Sequence, residues 1–150
     1  MSILKTHRFT VDAHWLSGQE TRVSSAGKPE LRVATPPEFR GGIAGVWSPE
    51  DLLVAAAASC YAVTLAAVAE RRGVPLRALD VHGAGDVTAR PDGRFRFTVI
   101  ELDVGIETDP GCEAEVRSAA LAAERVCLVA FSLDTPVHVA LEVKTASAAT

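Results

Sequence analysis

Cysteine is the residue type in this 150-residue sequence that could carry redox chemistry. The three cysteines are Cys60, Cys112 and Cys127, and no two of them have the CxxC spacing of a redox or metal-binding motif. A thiolate can be oxidised by a peroxide to a sulfenic acid, which condenses with a second thiol. Cys60 and Cys127 could form such a peroxidatic and resolving pair, and we assign no role to Cys112. Free cysteine is also a common apolar core residue, so spacing alone leaves both interpretations open.

Glu50 is a further candidate because of its place in a predicted helix. Ser48 and Pro49 precede it and indicate a helix that begins with Ser48 as N-cap and Asp51 as the capping-box acid. An acid in the first turn also stabilises the positive end of the helix. Glu50 lies about 15 Å from Cys60 along a straight helix. We therefore predict that Glu50, if it serves a cysteine site, serves Cys60 of a partner subunit.

The predicted helix begins at Pro49 and ends near Arg72, where Gly73 follows. Residues 52–69 contain no charged side chain, and their length is near the lower limit for a membrane span. Eight of these eighteen residues are alanine, so the segment is rich in small side chains. A helix that is apolar all round is buried. We favour its burial against another helix, such as its own copy in a homodimer, over a membrane span.

The remaining segments predict an α+β fold. A second helix is predicted to begin at Asp109-Pro110 and to end between Val126 and Phe131. A hairpin turns at Pro91-Asp92-Gly93, and a change of phase at Ile100 indicates a bulge in its second strand. Alternation of apolar and polar residues and flanking turn residues predict strands over 7–16, 21–25, 31–35, 79–89, 95–107 and 136–143.

The composition limits the class of protein. Apolar residues make up 48% of the chain and the net charge is −4, which predicts one domain over residues 1–150 and no nucleic-acid partner. The first sixteen residues lack the apolar region of a signal peptide, so we expect a cytoplasmic protein. Cytoplasmic thiols are kept reduced, and cysteines there are more often catalytic or redox-sensing than structural. The four histidines are scattered, and we predict no metal and no cofactor.

The residues around Glu50 and Cys60 resemble a known family. Residues 47–53 (WSPEDLL) and 57–61 (AASCY) are similar to the (N/S)PE-x-L…A-(A/S)-C-(F/Y) signature of the OsmC/Ohr proteins. Residues 123–127 (AERVC) resemble the second-cysteine segment of that family, and the loop that begins with residues 35–39 (TPPEF) also fits. The resemblance extends over nearly the whole chain.

The resemblance implies an α+β fold in which an antiparallel sheet wraps around two central helices of an intertwined homodimer. It implies a thiol-dependent peroxidase of oxidative-stress defence that reduces organic hydroperoxides and, less well, hydrogen peroxide. Cys60 would attack the peroxide, Cys127 would resolve the sulfenic acid, and Glu50 would position an arginine that lowers the thiol pKa. A dithiol such as dihydrolipoamide would then reduce the disulfide.

Two positions depart from the family pattern. The hydroperoxide reductases carry an arginine just before the first hairpin turn, which here is residues 17–20 (SGQE). Arg22 is the nearest arginine and our catalytic candidate, and Arg40 is a second one. A proline commonly follows the second cysteine, whereas this chain has Leu128. We therefore expect the OsmC-like branch. The alternative function is a non-enzymatic dimeric stress protein that binds a small apolar ligand at the dimer interface.

Overall fold

The protein is described by a computed structural model over residues 4–147. The chain divides into two compact units, one ending at Leu52 and the other beginning at Leu53. The elements are β1 (Asp12–Ser17), β2 (Glu20–Ser24), β3 (Leu31–Ala34), α1 (Pro49–Arg72), β4 (Ala78–Ala89), β5 (Phe95–Thr108), α2 (Glu113–Val126), α3 (Leu128–Phe131) and β6 (Val137–Thr145). This composition confirms the predicted α+β class. The predicted single domain over 1–150 includes the ends outside the described residues and stays a prediction.

The first unit contains an antiparallel sheet in the order β1-β2-β3. Its first hairpin turns at Gly18, whose φ of 51° is in the left-handed region that favours glycine. The predicted first strand began at residue 7, which is wrong, because β1 begins at Asp12. Asp12 pairs with Ser24, the last residue of β2. The chain turns immediately after Ser24, with the N–H of Lys28 donating to the carbonyl of Ser25 at 3.1 Å. β2 therefore offers no further residues with which the residues before Asp12 could pair.

The bounds predicted for α1 are confirmed by its caps. The N–H of Asp51 donates to Ser48 Oγ at 3.0 Å, and the N–H of Ser48 donates to Asp51 Oδ2 at 2.9 Å. These reciprocal bonds satisfy backbone donors that the helix itself leaves unpaired. At the other end, Gly73 has a φ of 65° and the N–H of Val74 donates to the carbonyl of Ala69 at 2.9 Å. This is a glycine-terminated helix end.

The second unit contains a sheet in the order β4-β5-β6. β4 and β5 form the predicted antiparallel hairpin, but β5 and β6 pair in parallel. The prediction of a wholly antiparallel sheet is therefore wrong at this pair. α2 and α3 connect β5 to β6. A connection of this length lets the chain return to the sheet so that β6 runs beside β5 in the same direction. The register shift opposite Asp86 and Val87 leaves Thr98 unpaired, so the bulge lies two residues before the predicted Ile100.

The core of the second unit lies between α1, α2 and one face of β5. Alternate residues of β5 from Ile100 to Ile106 point into it, together with Tyr61 and Leu65 of α1 and Val116 of α2. By length and composition α1 could also cross a membrane, although a core helix of a soluble protein passes the same test. Only 28% of its apolar stretch is buried within this chain.

The start of α2 differs from the predicted Asp109-Pro110. The carboxylate of Asp109 instead accepts two hydrogen bonds from Arg77, both at 2.7 Å, so it is not available to cap a helix. Gly111, with a φ of 87°, turns the chain. The helix begins at Glu113, and Cys112 occupies the N-cap position without a side-chain capping bond. The end at Val126 falls within the predicted range.

Candidate functional site

The structure brings Cys60 and Cys127 together. Cys60 lies in the middle of α1, and Cys127 lies between α2 and α3. Their side chains are close enough for each to shift the pKa of the other, and both are free thiols. Cys127 is buried, with 1% of its surface exposed, whereas Cys60 is partly exposed. The two cysteines, whose proximity could not be decided from their sequence spacing, therefore lie together within the second unit.

A break in the helix places Cys127 and exposes backbone donors beside it. Cys127 has an extended conformation, with φ −63° and ψ 108°, which separates α2 from α3. The first N–H groups of any helix have no partner within that helix. At the start of α3, the backbone N–H groups of Val129 and Leu128 lie beside the sulfur of Cys60 and lower its pKa. The helix break thus places backbone donors near one thiol while it carries the other.

The surroundings of the two thiols shift their pKa values in opposite directions. Burial disfavours the Cys60 thiolate, but hydrogen bonds from Val129, Cys127, Thr64 and Leu128 together outweigh it and lower the pKa of Cys60. Burial is also the largest influence on Cys127 and, with the neighbouring Cys60, raises its pKa. Cys60 is therefore the thiol that ionises first, which is what an attacking thiol requires.

A cavity of about 460 Å³ borders Cys127. Its lining is mostly apolar and includes Leu102, Leu121, Phe131 and Val139, with Glu124 and Arg125 as its charged residues. The buried Tyr61 also lines it, and the Tyr61 hydroxyl donates to the carbonyl of Ala120 at 3.2 Å. Burial, with the nearby Glu124 carboxylate, raises the pKa of Tyr61 to about 12. The phenol therefore stays neutral at physiological pH.

The other predicted site residues, Glu50, Arg22 and Arg40, belong to the first unit. Within the described residues, Glu50 Oε2 is buried and has no hydrogen-bond partner. Arg22 lies on β2 and forms an ion pair with Glu30 at 3.5 Å, with 49% of its side chain exposed. The structure therefore gives Arg22 a surface partner, and the catalytic roles of Glu50 and Arg22 stay predictions.

Two contributors to the site were not predicted from the sequence. The hydroxyl of Thr64 lies 4.0 Å from Cys60 Sγ, one helical turn further along α1, and this i, i+4 spacing could have identified it. The N–H groups of Leu128 and Val129 could not be found in this way, because they depend on the break at Cys127. Cys112 is separate from the pair, and burial and the nearby Glu115 raise its pKa.

Comparison with known protein families shows the family to which this chain belongs. Residues 42–142, more than half of the chain, match the OsmC-like protein family. The matched segment includes α1, both members of the cysteine pair and the sheet of the second unit. The chain therefore belongs to the OsmC-like family, as the residues around Glu50 and Cys60 predicted.

Three relatives show how far the similarity extends. The uncharacterized protein YmaD of Bacillus subtilis (strain 168) is 27% identical over 91% of this chain and 93% of its own length. An OsmC-like protein of unknown function from Vibrio cholerae has a TM-score of 0.82 at 14% identity, over 91% of this chain and all of its own. The organic hydroperoxide resistance protein OsmC from Legionella pneumophila has a TM-score of 0.74 at 25% identity, over 93% and 98%. These matches support the α+β fold along nearly the whole chain.

Proposed function

We propose that this protein is a cysteine-based peroxidase that reduces organic hydroperoxides and, less well, hydrogen peroxide, in oxidative-stress defence. The observation that carries the proposal is the contact between Cys60 and Cys127, in which the partly exposed thiol has the lowered pKa. Membership of the OsmC-like family supports it, as does the likeness to a protein named for organic hydroperoxide resistance. The cycle requires both thiols to be reduced, which is the state maintained in the cytoplasm, and we propose that location.

The reaction has two steps on the protein. The Cys60 thiolate attacks the distal oxygen of the hydroperoxide, the O–O bond breaks, and an alcohol leaves with Cys60 as a sulfenic acid. The Cys127 thiol then attacks the sulfenic sulfur, and water leaves as the disulfide forms. A dithiol reduces the disulfide and closes the cycle. The N–H groups of Leu128 and Val129 stabilise the thiolate before attack.

A homodimer is part of this proposal. Only 28% of the apolar stretch of α1 is buried within the chain, and the side chain of Val63 in its middle is 67% exposed. Exposed apolar surface of this kind is typical of an interface. We infer that a second copy covers α1 and that Glu50, whose buried Oε2 has no hydrogen-bond partner among residues 4–147, meets an arginine there. Light scattering on the purified protein tests this inference. A protein that is monomeric in the absence of detergent would contradict it.

The function is tested by peroxide consumption with cumene hydroperoxide and a dithiol reductant. We expect Cys60→Ser to abolish turnover and Cys112→Ser to leave it unchanged. Cys127→Ser should form the Cys60 sulfenic acid without an intramolecular disulfide when one equivalent of hydroperoxide is added in the absence of the dithiol. Mass spectrometry after one equivalent of hydroperoxide should show a Cys60–Cys127 disulfide. Unchanged turnover in Cys60→Ser would contradict the proposal.

The apolar cavity of about 460 Å³ favours one alternative, a non-enzymatic dimeric stress protein that binds a small apolar ligand. In that case both thiols stay unmodified after exposure to hydroperoxide, and a fluorescent apolar probe binds equally well to Cys60→Ser and to the unchanged protein. The same mass spectrometry therefore separates the two functions.

A further inference from the structure

The cavity beside the cysteine pair is asymmetric. It borders Cys127, and Cys60 is not among the residues that line it. Cys127 is only 1% exposed, whereas Phe131, another lining residue, is 88% exposed. The cavity therefore lies on the Cys127 side of the pair, next to the resolving thiol of the proposed cycle.

This asymmetry indicates which reactant the cavity takes. A hydroperoxide bound there would face Cys127, whose burial raises its pKa, and not the thiol that ionises first. A hydroperoxide must reach the attacking thiol, whereas a reductant must reach a sulfur of the disulfide. A thiolate attacks a disulfide sulfur in line with the bond that breaks, so it must approach one sulfur from the side away from the other. The cavity borders Cys127 and not Cys60, so a reductant bound there would approach the pair from the Cys127 side.

The Cys60 sulfur is also suited to be the leaving group. When the disulfide breaks with attack at Cys127, negative charge develops on Cys60, whose thiolate the neighbouring backbone N–H groups of Val129 and Leu128 favour. A thiol that is more acidic leaves faster in thiol–disulfide exchange. Attack at Cys60 would instead expel Cys127, which is the less acidic thiol of the pair.

We propose that this cavity binds the dithiol reductant and that the reductant attacks Sγ of Cys127. The inference rests on the proposed peroxidase function for the origin of the disulfide. A bond forms between the reductant sulfur and Cys127, the Cys60–Cys127 bond breaks, and Cys60 leaves as a thiolate. The second thiol of the reductant, deprotonated, then attacks its own first sulfur. The reductant is released as a disulfide and Cys127 leaves as a thiolate that takes up a proton, so two electrons pass to the protein.

The attacked sulfur can be identified directly. The Cys60–Cys127 disulfide is prepared with diamide, so its formation does not depend on peroxidase activity. It is then mixed with 2-mercaptoethanol, quenched rapidly with N-ethylmaleimide and mapped by mass spectrometry. We expect the mercaptoethanol adduct on Cys127 and the maleimide on Cys60. The reverse distribution would overturn the proposal.

A second measurement tests the cavity itself. Val139→Phe fills it, and Ala140→Phe places the same side chain on the opposite, exposed face of β6 as a control. With the diamide-made disulfide and dihydrolipoamide as probe, we expect Val139→Phe to slow reduction about tenfold and Ala140→Phe to leave it unchanged. Phe131→Ala, at an exposed position, is a second test that does not disturb the core, and we expect slower reduction there too. Unchanged reduction in both cavity variants would overturn the proposal.

The same variants distinguish this inference from the proposed function. If Val139→Phe slows oxidation by hydroperoxide rather than reduction by the dithiol, the cavity takes the peroxide and the inference is wrong. If hydroperoxide fails to form a disulfide that diamide does form, the peroxidase function is wrong, while attack at Cys127 through the cavity is still supported by the mapping.

Discussion

The backbone N–H of Leu128 lies beside the sulfur of Cys60 and, with that of Val129, lowers the pKa of this thiol. Leu128 is the first residue of α3 and stands where the OsmC/Ohr pattern described above has a proline, which has no N–H to donate. The departure from the family pattern at this position therefore adds a donor to the attacking thiol. Backbone donors are a means of stabilising a thiolate that does not depend on an arginine.

Leu128→Pro should remove this donor without disturbing the helix. Proline is favoured at the first position of a helix, and the extended conformation of Cys127, with ψ 108°, is the one that a following proline requires. We expect the pKa of Cys60 to rise and its alkylation by iodoacetamide at neutral pH to slow by about three- to tenfold, as for the loss of one hydrogen bond. Leu128→Ala keeps the N–H and is the control. Equal alkylation rates in the two variants would show that the bond does not stabilise the thiolate.

The three cysteines should be alkylated in a fixed order as the pH rises. The pKa of Cys60 is lowered, since its hydrogen bonds outweigh burial, whereas burial raises that of Cys127 and, with nearby acids, that of Cys112. Only the thiolate reacts, so Cys60 should react first. Because its pKa is lower in the folded protein, ionised Cys60 stabilises the fold at high pH, and this contribution is lost as the pH falls through the lowered pKa.

Peptide mapping after brief iodoacetamide treatment across a pH series tests this order. Cys112 serves as an internal reference, because it is partly exposed like Cys60 but lies among acidic side chains. If Cys112 is modified at a lower pH than Cys60, the assignment of Cys60 as the attacking thiol is wrong.

Much of this fold was predictable because its signals are local. Ser48, Asp51 and Gly73 mark the ends of α1 by side-chain and backbone preferences that operate over a few residues. The start of α2 was mispredicted because Asp109 pairs with Arg77, a partner that is remote in sequence. The parallel pairing of β5 with β6 and the meeting of Cys60 with Cys127 also depend on tertiary packing. Composition and spacing carry no information about such long-range contacts.

Gly83 lets α1 approach β4 closely, and a larger residue there should destabilise the second unit. A Cβ added at Gly83 would lie 2.9 Å from Val54 Cγ1, so Gly83→Ala should lower the free energy of unfolding by about 1–3 kcal/mol through overpacking. Gly105 lies on β5 with nothing within 4 Å of an added Cβ, so Gly105→Ala is the control and should not destabilise. Urea denaturation measures both. Combining Gly83→Ala with Val54→Ala should recover part of the lost free energy of unfolding. If none is recovered, the clash does not involve Val54.

Glu50 and Asp51 are neighbouring acids whose roles can be separated. Asp51 caps α1 through its bond with Ser48, so Asp51→Asn should cost about 1 kcal/mol of stability and leave peroxide turnover intact. The buried Oε2 of Glu50 has no hydrogen-bond partner in the described part of the chain, and we propose that it meets an arginine across a dimer. Glu50→Gln should then lower kcat/KM for cumene hydroperoxide about tenfold, with little change in the urea midpoint.

The arginine proposed to pair with Glu50 can be identified by the same assay. Arg22→Ala should match the loss seen in Glu50→Gln if Arg22 is the partner, and combining the two substitutions should then cost no more than either alone. Arg40→Ala is examined in parallel as the second candidate. An additive loss in the double variant of Arg22 and Glu50 would exclude their pairing. Unchanged kcat/KM in Glu50→Gln would show that Glu50 only stabilises the start of α1, because a carboxylate that orients an arginine cannot be replaced by a neutral amide without weakening that interaction.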